Sequence, residues 1–480
     1  MVKRALAITL LAACTEPPAV FAPIVELPTN DTASAFPLDS ITVSVAHEGA
    51  ELDLISATFS RGEAIEIPNV PYGDDLVFHM TGRIGTSEVA YGRTCPFTLR
   101  ADGGSPDPHI FFSRLVKFGG MSLRPLAREG GIALTYNDGS GLLVGGTNPN
   151  DPADSIEQVE RFDPSTGEYE TLHDIVPRIG SAIATLGEVT DAHVVVIGGL
   201  DPATGQGAEF VEVLEAKSTT DRQYEMFFEP TMARVGLTAS TLSDGRVVVI
   251  GGRVPNGMTS RIVSEVAVSS GIVNVRPLRA ELTTARHGHT ATRLADDIGA
   301  PLLITGGLDD DGAPVAMAEL YKPLSEDFSP TFVRSMVVPR SRHVAVPLPD
   351  GSVLVLGGVD SNNLPISVVE LFSLDAGFVA VGTLPPNAGR VDVSASVLPD
   401  GRVLIAGGRL EPAGAATTSA FIARLDPLDG SVDIVATDRL TEPRAGHQAT
   451  LLCDGTVLFA GGTADQSVYE RYNPPALGRR

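Results

Sequence analysis

Three histidines offer the clearest chance of chemistry. His289, His343 and His447 each stand three residues after an arginine, in the stretches RHGH, RSRH and RAGH. Imidazoles gathered from separate segments suit zinc or copper. A metal held there would support an enzyme acting on carbohydrate or through the metal itself, which is the alternative reading of function. Other chemistry is sparse. Asp309, Asp310 and Asp311 precede Gly312 without the spacing or terminal glutamate of a calcium loop, so they read as a solvated turn, with Asp201 and Asp360 in equivalent loops. The sequence holds no HExxH, CxxC, GxSxG or phosphate-loop motif, and no cofactor is implied. A disulfide between Cys95 and Cys453 is open in an oxidising compartment, but two buried free thiols are the expectation.

What positions the histidines is repetition. Glycine pairs begin at Gly145, Gly198, Gly251, Gly306, Gly357, Gly407 and Gly461, at spacings of 53, 53, 55, 51, 50 and 54. Arg128, Arg234, Arg340, Arg390 and Arg444 stand 17 residues before their pairs; Arg178 and Arg286 stand 20 before, behind a hairpin loop three residues longer. A residue present in all seven copies is needed by the unit, so the arginines read as structural. So do Glu160, Glu212, Glu265, Glu319, Glu370 and Glu470, each expected to pair with an arginine, since buried charges require partners. Each unit reads as four strands. Asp-Gly, as in DGRVVVIGG at 244–252, predicts a two-residue primed hairpin turn. The apolar run after it predicts a strand buried on both faces.

Four strands, a period near 50 and a double glycine on the second strand resemble the kelch repeat. The resemblance covers about residues 110–480 and implies an all-β, seven-bladed kelch-type β-propeller. The kelch fourth strand usually carries a tryptophan, and this chain has none. The stretch 444–462 is similar to kelch-type copper oxidases typified by galactose oxidase. There the histidine matching His447 binds copper and follows a tyrosine ligand, whereas here Gly446 precedes it and no Tyr-His pair exists. The resemblance therefore implies the propeller fold without the copper-radical cofactor. Three residues after the arginines stand Gly131, Ser181, Leu237, His289, His343, Val393 and His447, so the histidines also fit a retained repeat consensus.

The last copy stops soon after YERYNP, one strand short. The stretch HIFFSRLVKFGGMSLRPLAR supplies the missing strand, either with IFFSRLV included or with that piece belonging upstream and KFGGMSL closing the ring.

The N-terminus is a different signal. MVKR precedes the apolar ALAITLLAA and then Cys14. Nine apolar residues are too few to cross a bilayer as a helix. Leu11-Ala12-Ala13-Cys14 resembles the lipobox of bacterial lipoproteins, which implies cleavage after residue 13 and an acylated Cys14. Residues 14–38 then read as a Pro-rich tether, 39–108 as a small β-sandwich, and 109–480 as the propeller. AIEIPNVPYGDDLVFHMTG in the small domain resembles prealbumin-like and carboxypeptidase-regulatory-like domains of secreted bacterial proteins; an Ig-like sandwich fits the same strands. A net charge of −24 disfavours nucleic acid and electrostatic attachment to an anionic membrane. The expected protein is exported and held in the cell envelope, at an outer membrane or cell surface, through lipidated Cys14. Its propeller is expected to bind a protein or glycan.

Overall fold

Seven antiparallel sheets follow one another along the chain, one per repeat; six have four strands, and the fourth has five because Asp327–Phe328 and Arg334–Ser335 both pair with Met317–Lys322. The structure is a computed structural model describing residues 22–30, 37–50, 52–67, 69–100, 107–121, 126–148, 151–187, 193–214, 224–269, 272–329, 334–385, 389–426, 428–462 and 469–474. The third blade is representative: Thr238–Thr241, Val247–Ile250, Ile262–Ser269 and Ile272–Glu281. The fold is a β-propeller, as the repeats require. The seventh blade takes its outer strand, Lys117–Gly120, from before the first repeat; Glu470 pairs with Gly120 and Asn473 with Lys117. Of the two closing segments, KFGG is used. Phe111 and its neighbours pair elsewhere, His109–Phe111 with Ile24–Glu26 and Ser113–Arg114 with Ser87–Arg93.

The continuous apolar runs serve two interfaces at once. Val247 and Val249 pack into a cluster shared with the second blade, while Val248 and Ile250 face the fourth. Seven such clusters lie one between each neighbouring pair of blades. Each fully buried valine or isoleucine contributes about 1.5–3 kcal/mol. No tryptophan is required because aliphatic residues fill both faces.

The hairpin turn differs from expectation. Only the glycine has positive φ, with Gly245 at +80° and Gly351 at +82°; the aspartates do not. The turn is therefore a three-residue loop ending in a bulge glycine rather than a two-residue primed turn. Aspartate is selected because its carboxylate accepts the amide two residues on. Arg246 donates to Asp244 at 3.2 Å, Ser352 to Asp350 at 3.0 Å and Thr456 to Asp454 at 3.1 Å.

All seven repeat arginines are buried. In six, a terminal nitrogen donates to the carbonyl of the first glycine in the same blade, as from Arg128 to Gly145 at 2.7 Å and from Arg444 to Gly461 at 2.8 Å. Five pair with the expected glutamate: Arg128–Glu160, Arg178–Glu212, Arg286–Glu319, Arg340–Glu370 and Arg444–Glu470. Those carboxylates also accept backbone amides, for example from Val337 to Glu370 at 2.7 Å. This satisfies the lone pairs that make a buried ion costly.

Two blades depart from the rule. Glu265 does not pair with Arg234 but accepts from Arg246 at 2.5 Å and Arg276 at 2.9 Å. The β-register explains why: the residue opposite Val249 is Ser264, and Glu265 lies one position along, on the other face of the strand. Ser264 Oγ and Arg234 Nε have no hydrogen-bond partner, and burial lowers the Arg234 pKa to about 10 despite Glu229. In the sixth blade Phe421 takes the glutamate position, and the Arg390 guanidinium lies 5.0 Å from its ring.

The N-terminal domain is one six-stranded sheet, with the Ile24–Glu26 and His109–Phe111 pair beside it. Ile110 of that pair joins Val43, Val45, Leu76 and Phe78 in its core. The expected tether is thus part of the body along its described stretch. Thr29 donates to Gly120 at 2.8 Å, and the Asn30 amide accepts from Gly120 at 3.1 Å and donates to Phe118 at 3.3 Å, all on the closing strand. The short strand has no periodic pattern, so its Pro-rich surroundings resemble a linker. The expectation of free thiols is also corrected: Cys95 and Cys453 form a disulfide, Cα atoms 5.1 Å apart, joining the small domain to the seventh blade. Arg93 adds a hydrogen bond to the Cys453 carbonyl at 3.2 Å, and Asn473 donates to Tyr91 at 2.7 Å.

Two stability measurements follow. Replacing both cysteines by alanine should cost about 2–4 kcal/mol in denaturant unfolding. An unchanged midpoint would mean that the hydrogen bonds alone clamp the domains. Ser264→Glu should give Arg234 the partner that five other blades have and raise stability by about 1 kcal/mol or more. A fall would show that the third blade has filled that space with Met232.

Candidate functional site

The three histidines are held apart. Each lies between two blades with its ring over the first glycine of the preceding pair: His289 over Gly251, His343 over Gly306 and His447 over Gly407. Each Nε2 meets a hydroxyl on the first strand of the neighbouring blade: Thr238 at 3.0 Å, Thr290 at 3.1 Å and Ser394 at 2.7 Å respectively. Leu237 and Val393 cover Gly198 and Gly357 in the same way. The position is therefore a lid between blades, and its side chains point sideways instead of into the channel. Every Nδ1 is buried without a partner. Desolvation, with nearby arginines adding to it, pushes the His343 and His447 pKa values down to about 3 and that of His289 well below its usual range. No group of three metal-ligating side chains occurs among the described residues. A copper site does not fit, because Gly446 replaces the tyrosine and His447 is committed to Ser394.

The acidic loops also serve structure. Asp201, Asp309 and Asp360 each accept amides of their own loop: from Ala203, from Ala313 and from Asn362, each at 2.8 Å. Cys14 lies outside the described residues.

A different site emerges two residues after each arginine. Gly130, Gly180, Gly236, Gly288, Arg342, Asp392 and Gly446 all have positive φ, between +54° and +69°. They ring the channel mouth at the glycine-pair end, away from the Asp-Gly turns and the small domain. Backbone bonds run from one to the next: Gly236 donates to Gly180 at 2.9 Å, Gly288 to Gly236 at 2.7 Å, Gly446 to Asp392 at 2.9 Å and Gly130 to Gly446 at 3.1 Å. Glycine adopts this left-handed geometry freely; other residues incur a cost of about 1–3 kcal/mol. Arg342 and Asp392 accept that cost, at +54° and +56°.

Their side chains meet. Arg342 grips Asp392 through Nε at 3.1 Å and Nη2 at 2.5 Å. Arg409 joins Asp392 at 2.9 Å and Glu129 at 2.8 Å. Glu129 reaches Arg409 across side-chain-free Gly446. The four charges border an open depression of about 490 Å³, completed by Gly130, Pro412, Ala413, Gly414 and Gly446. Inward charges that do not repeat are not needed to build blades, and polar groups on the rim of a rigid scaffold suit recognition. The sequence did carry a signal for this site: two charged residues where five copies have glycine.

No described protein family matches the chain, and no curated protein matches it. Among solved structures, a fungal alcohol oxidase of the AA5 family in complex with copper aligns with TM-score 0.54 at 16% identity, covering 75% of this chain and 76% of its own. YjhT aligns with TM-score 0.46 at 15% identity, covering 61% of this chain and 93% of its own. The oxidase alignment shows a galactose-oxidase-like β-propeller and, at such identity, the fold alone.

The buried histidines predict acid sensitivity. The unfolded chain takes up their protons near pH 6.5, the folded one only near 3, so the unfolded state holds more protons between these values. Stability should be flat above pH 6.5 and fall as pH drops toward 3. His447→Val, which copies the residue that Val393 places in the sixth blade, should flatten that decline in a pH series of thermal midpoints. An unaltered slope would show that His447 becomes protonated in the folded protein.

Proposed function

We propose that this is a lipid-anchored protein of the cell envelope whose propeller binds a protein or glycan ligand at the channel mouth. The Arg342–Asp392–Arg409–Glu129 cluster carries the binding reading: it is the part of the ring where the left-handed repeat geometry is kept at an energetic cost, with charged Arg342 and Asp392 in the place of glycine. The metal-enzyme alternative has less in its favour, because its three histidines are each committed to a neighbouring blade.

Several features support export and anchoring. A charged start, a short apolar run and Leu11-Ala12-Ala13-Cys14 form a lipobox-like leader. The Cys95–Cys453 disulfide suits an oxidising compartment. With Cys14 acylated, nine residues, and so ten residue steps, separate it from the docked strand at Ile24. At about 3.5 Å per residue, that holds the body within roughly 35 Å of the membrane.

A photo-crosslinking amino acid at exposed Ala413, at the mouth, should give discrete adducts in intact cell envelopes. The same group at Leu428, on the outer rim and 93% exposed, should not. Cys14→Ser should move the protein to the aqueous phase on detergent partition. Equal adducts from both positions, or none from Ala413, would remove the binding role; unchanged partition would remove the anchor.

A further inference from the structure

The arrangement of charge at the mouth narrows the ligand. Along the rim the order is Glu129, Arg409, Asp392, Arg342, alternating in sign and summing to zero. The middle two are the more enclosed, with side chains 20% and 17% exposed; the ends are 40% and 42% exposed. The middle pair also uses most of its bonding capacity internally, since Asp392 Oδ2 accepts from both arginines and Arg409 spans both acids. At the ends, Glu129 Oε2 and Arg342 Nη1 have no partner among the described residues. A ligand lying along the rim therefore meets an available carboxylate at one end and an available guanidinium edge at the other.

We propose that the mouth binds a dipolar peptide segment, one basic and one acidic side chain a few residues apart, the base at Glu129 and the acid at Arg342. This rests on the binding reading above and deepens it. A glycan is less suited because, among the described residues, no aromatic ring borders the depression to stack on a sugar face. A polyanion meets two carboxylates on the rim and a chain of net charge −24. The glycine floor and the Pro412-Ala413-Gly414 wall present little side chain, so a peptide backbone can approach closely. Arg342 supplies a planar fork suited to a carboxylate, and Glu129 accepts from lysine or arginine.

The test is an immobilised tetrapeptide library placing Lys, Arg, Asp and Glu in every arrangement among alanines, probed with the full-length protein beside a neutral-oligosaccharide array. Peptides pairing a base with an acid should be retained about tenfold over those carrying one sign, the effect of one charge-assisted contact. Arg342→Gly should remove the requirement for the acid and Glu129→Gln the requirement for the base. Both variants should keep the parent's thermal midpoint to within a few degrees, since five blades already hold glycine at the Arg342 position. Retention without regard to charge pairing, or no peptide retained, overturns the proposal. An oligosaccharide that binds and is lost with Arg342→Gly overturns it while keeping the mouth as a binding site. A ligand held equally by both variants overturns the site as well.

Discussion

The structure depends on how one arginine per blade shares its polar groups. The guanidinium stays within its own blade and, in six of the seven, holds the carbonyl of the first glycine. Its backbone carbonyl turns the other way and accepts the amide of the second glycine in the preceding blade, as from Gly252 to Arg286 at 2.9 Å and from Gly408 to Arg444 at 2.8 Å. The last such bond, Gly462 to Arg128 at 2.7 Å, joins the seventh blade to the first. Gly252 and Gly408 have φ of +95° and +84°, and a Cβ would collide with the lid residue Leu237 at the first and with the Val391 carbonyl at the second. Arginine and glycine pair are therefore one device, which explains their joint recurrence. The device is polar and buried, so its value is geometric: it fixes blade spacing that interchangeable aliphatic packing leaves loose.

Much of this is legible in the sequence because seven copies in one chain act as their own comparison. Blade number, strand count, the arginines and five of the glutamates follow from spacing alone. Expectation and structure part where a single residue of register matters. Glu265 satisfies the sequence pattern but faces the wrong side of its strand, while Ser264 holds the inward place. The hairpin turn departs from expectation because Asp-Gly serves two turn types, and only φ at the aspartate separates them. The disulfide is not legible: residues 358 apart are brought together by domain docking, which spacing does not encode. The docked segment near Asn30 is hidden for a similar reason, since its bonds go to a distant strand.

The histidines and the mouth show two kinds of departure from a repeat. His289, His343 and His447 share their position with leucine and valine, and all of these cover a glycine. Residue type varies there while the task stays constant. At the mouth the reverse holds. Backbone geometry is constant in all seven blades, yet two positions carry charged side chains at a conformational cost. A substitution that strains a shared geometry is the stronger pointer to function, because packing alone would have removed it.

The ring is closed by strands from opposite ends of the chain. Lys117–Gly120 emerges early and finds its partner Glu470–Asn473 only when the seventh repeat has been made. Cys95 likewise waits for Cys453. No early portion can complete the ring before the final blade arrives. The cost is an interval in which apolar strand edges stand unpaired, a burden for whatever escorts the chain before closure.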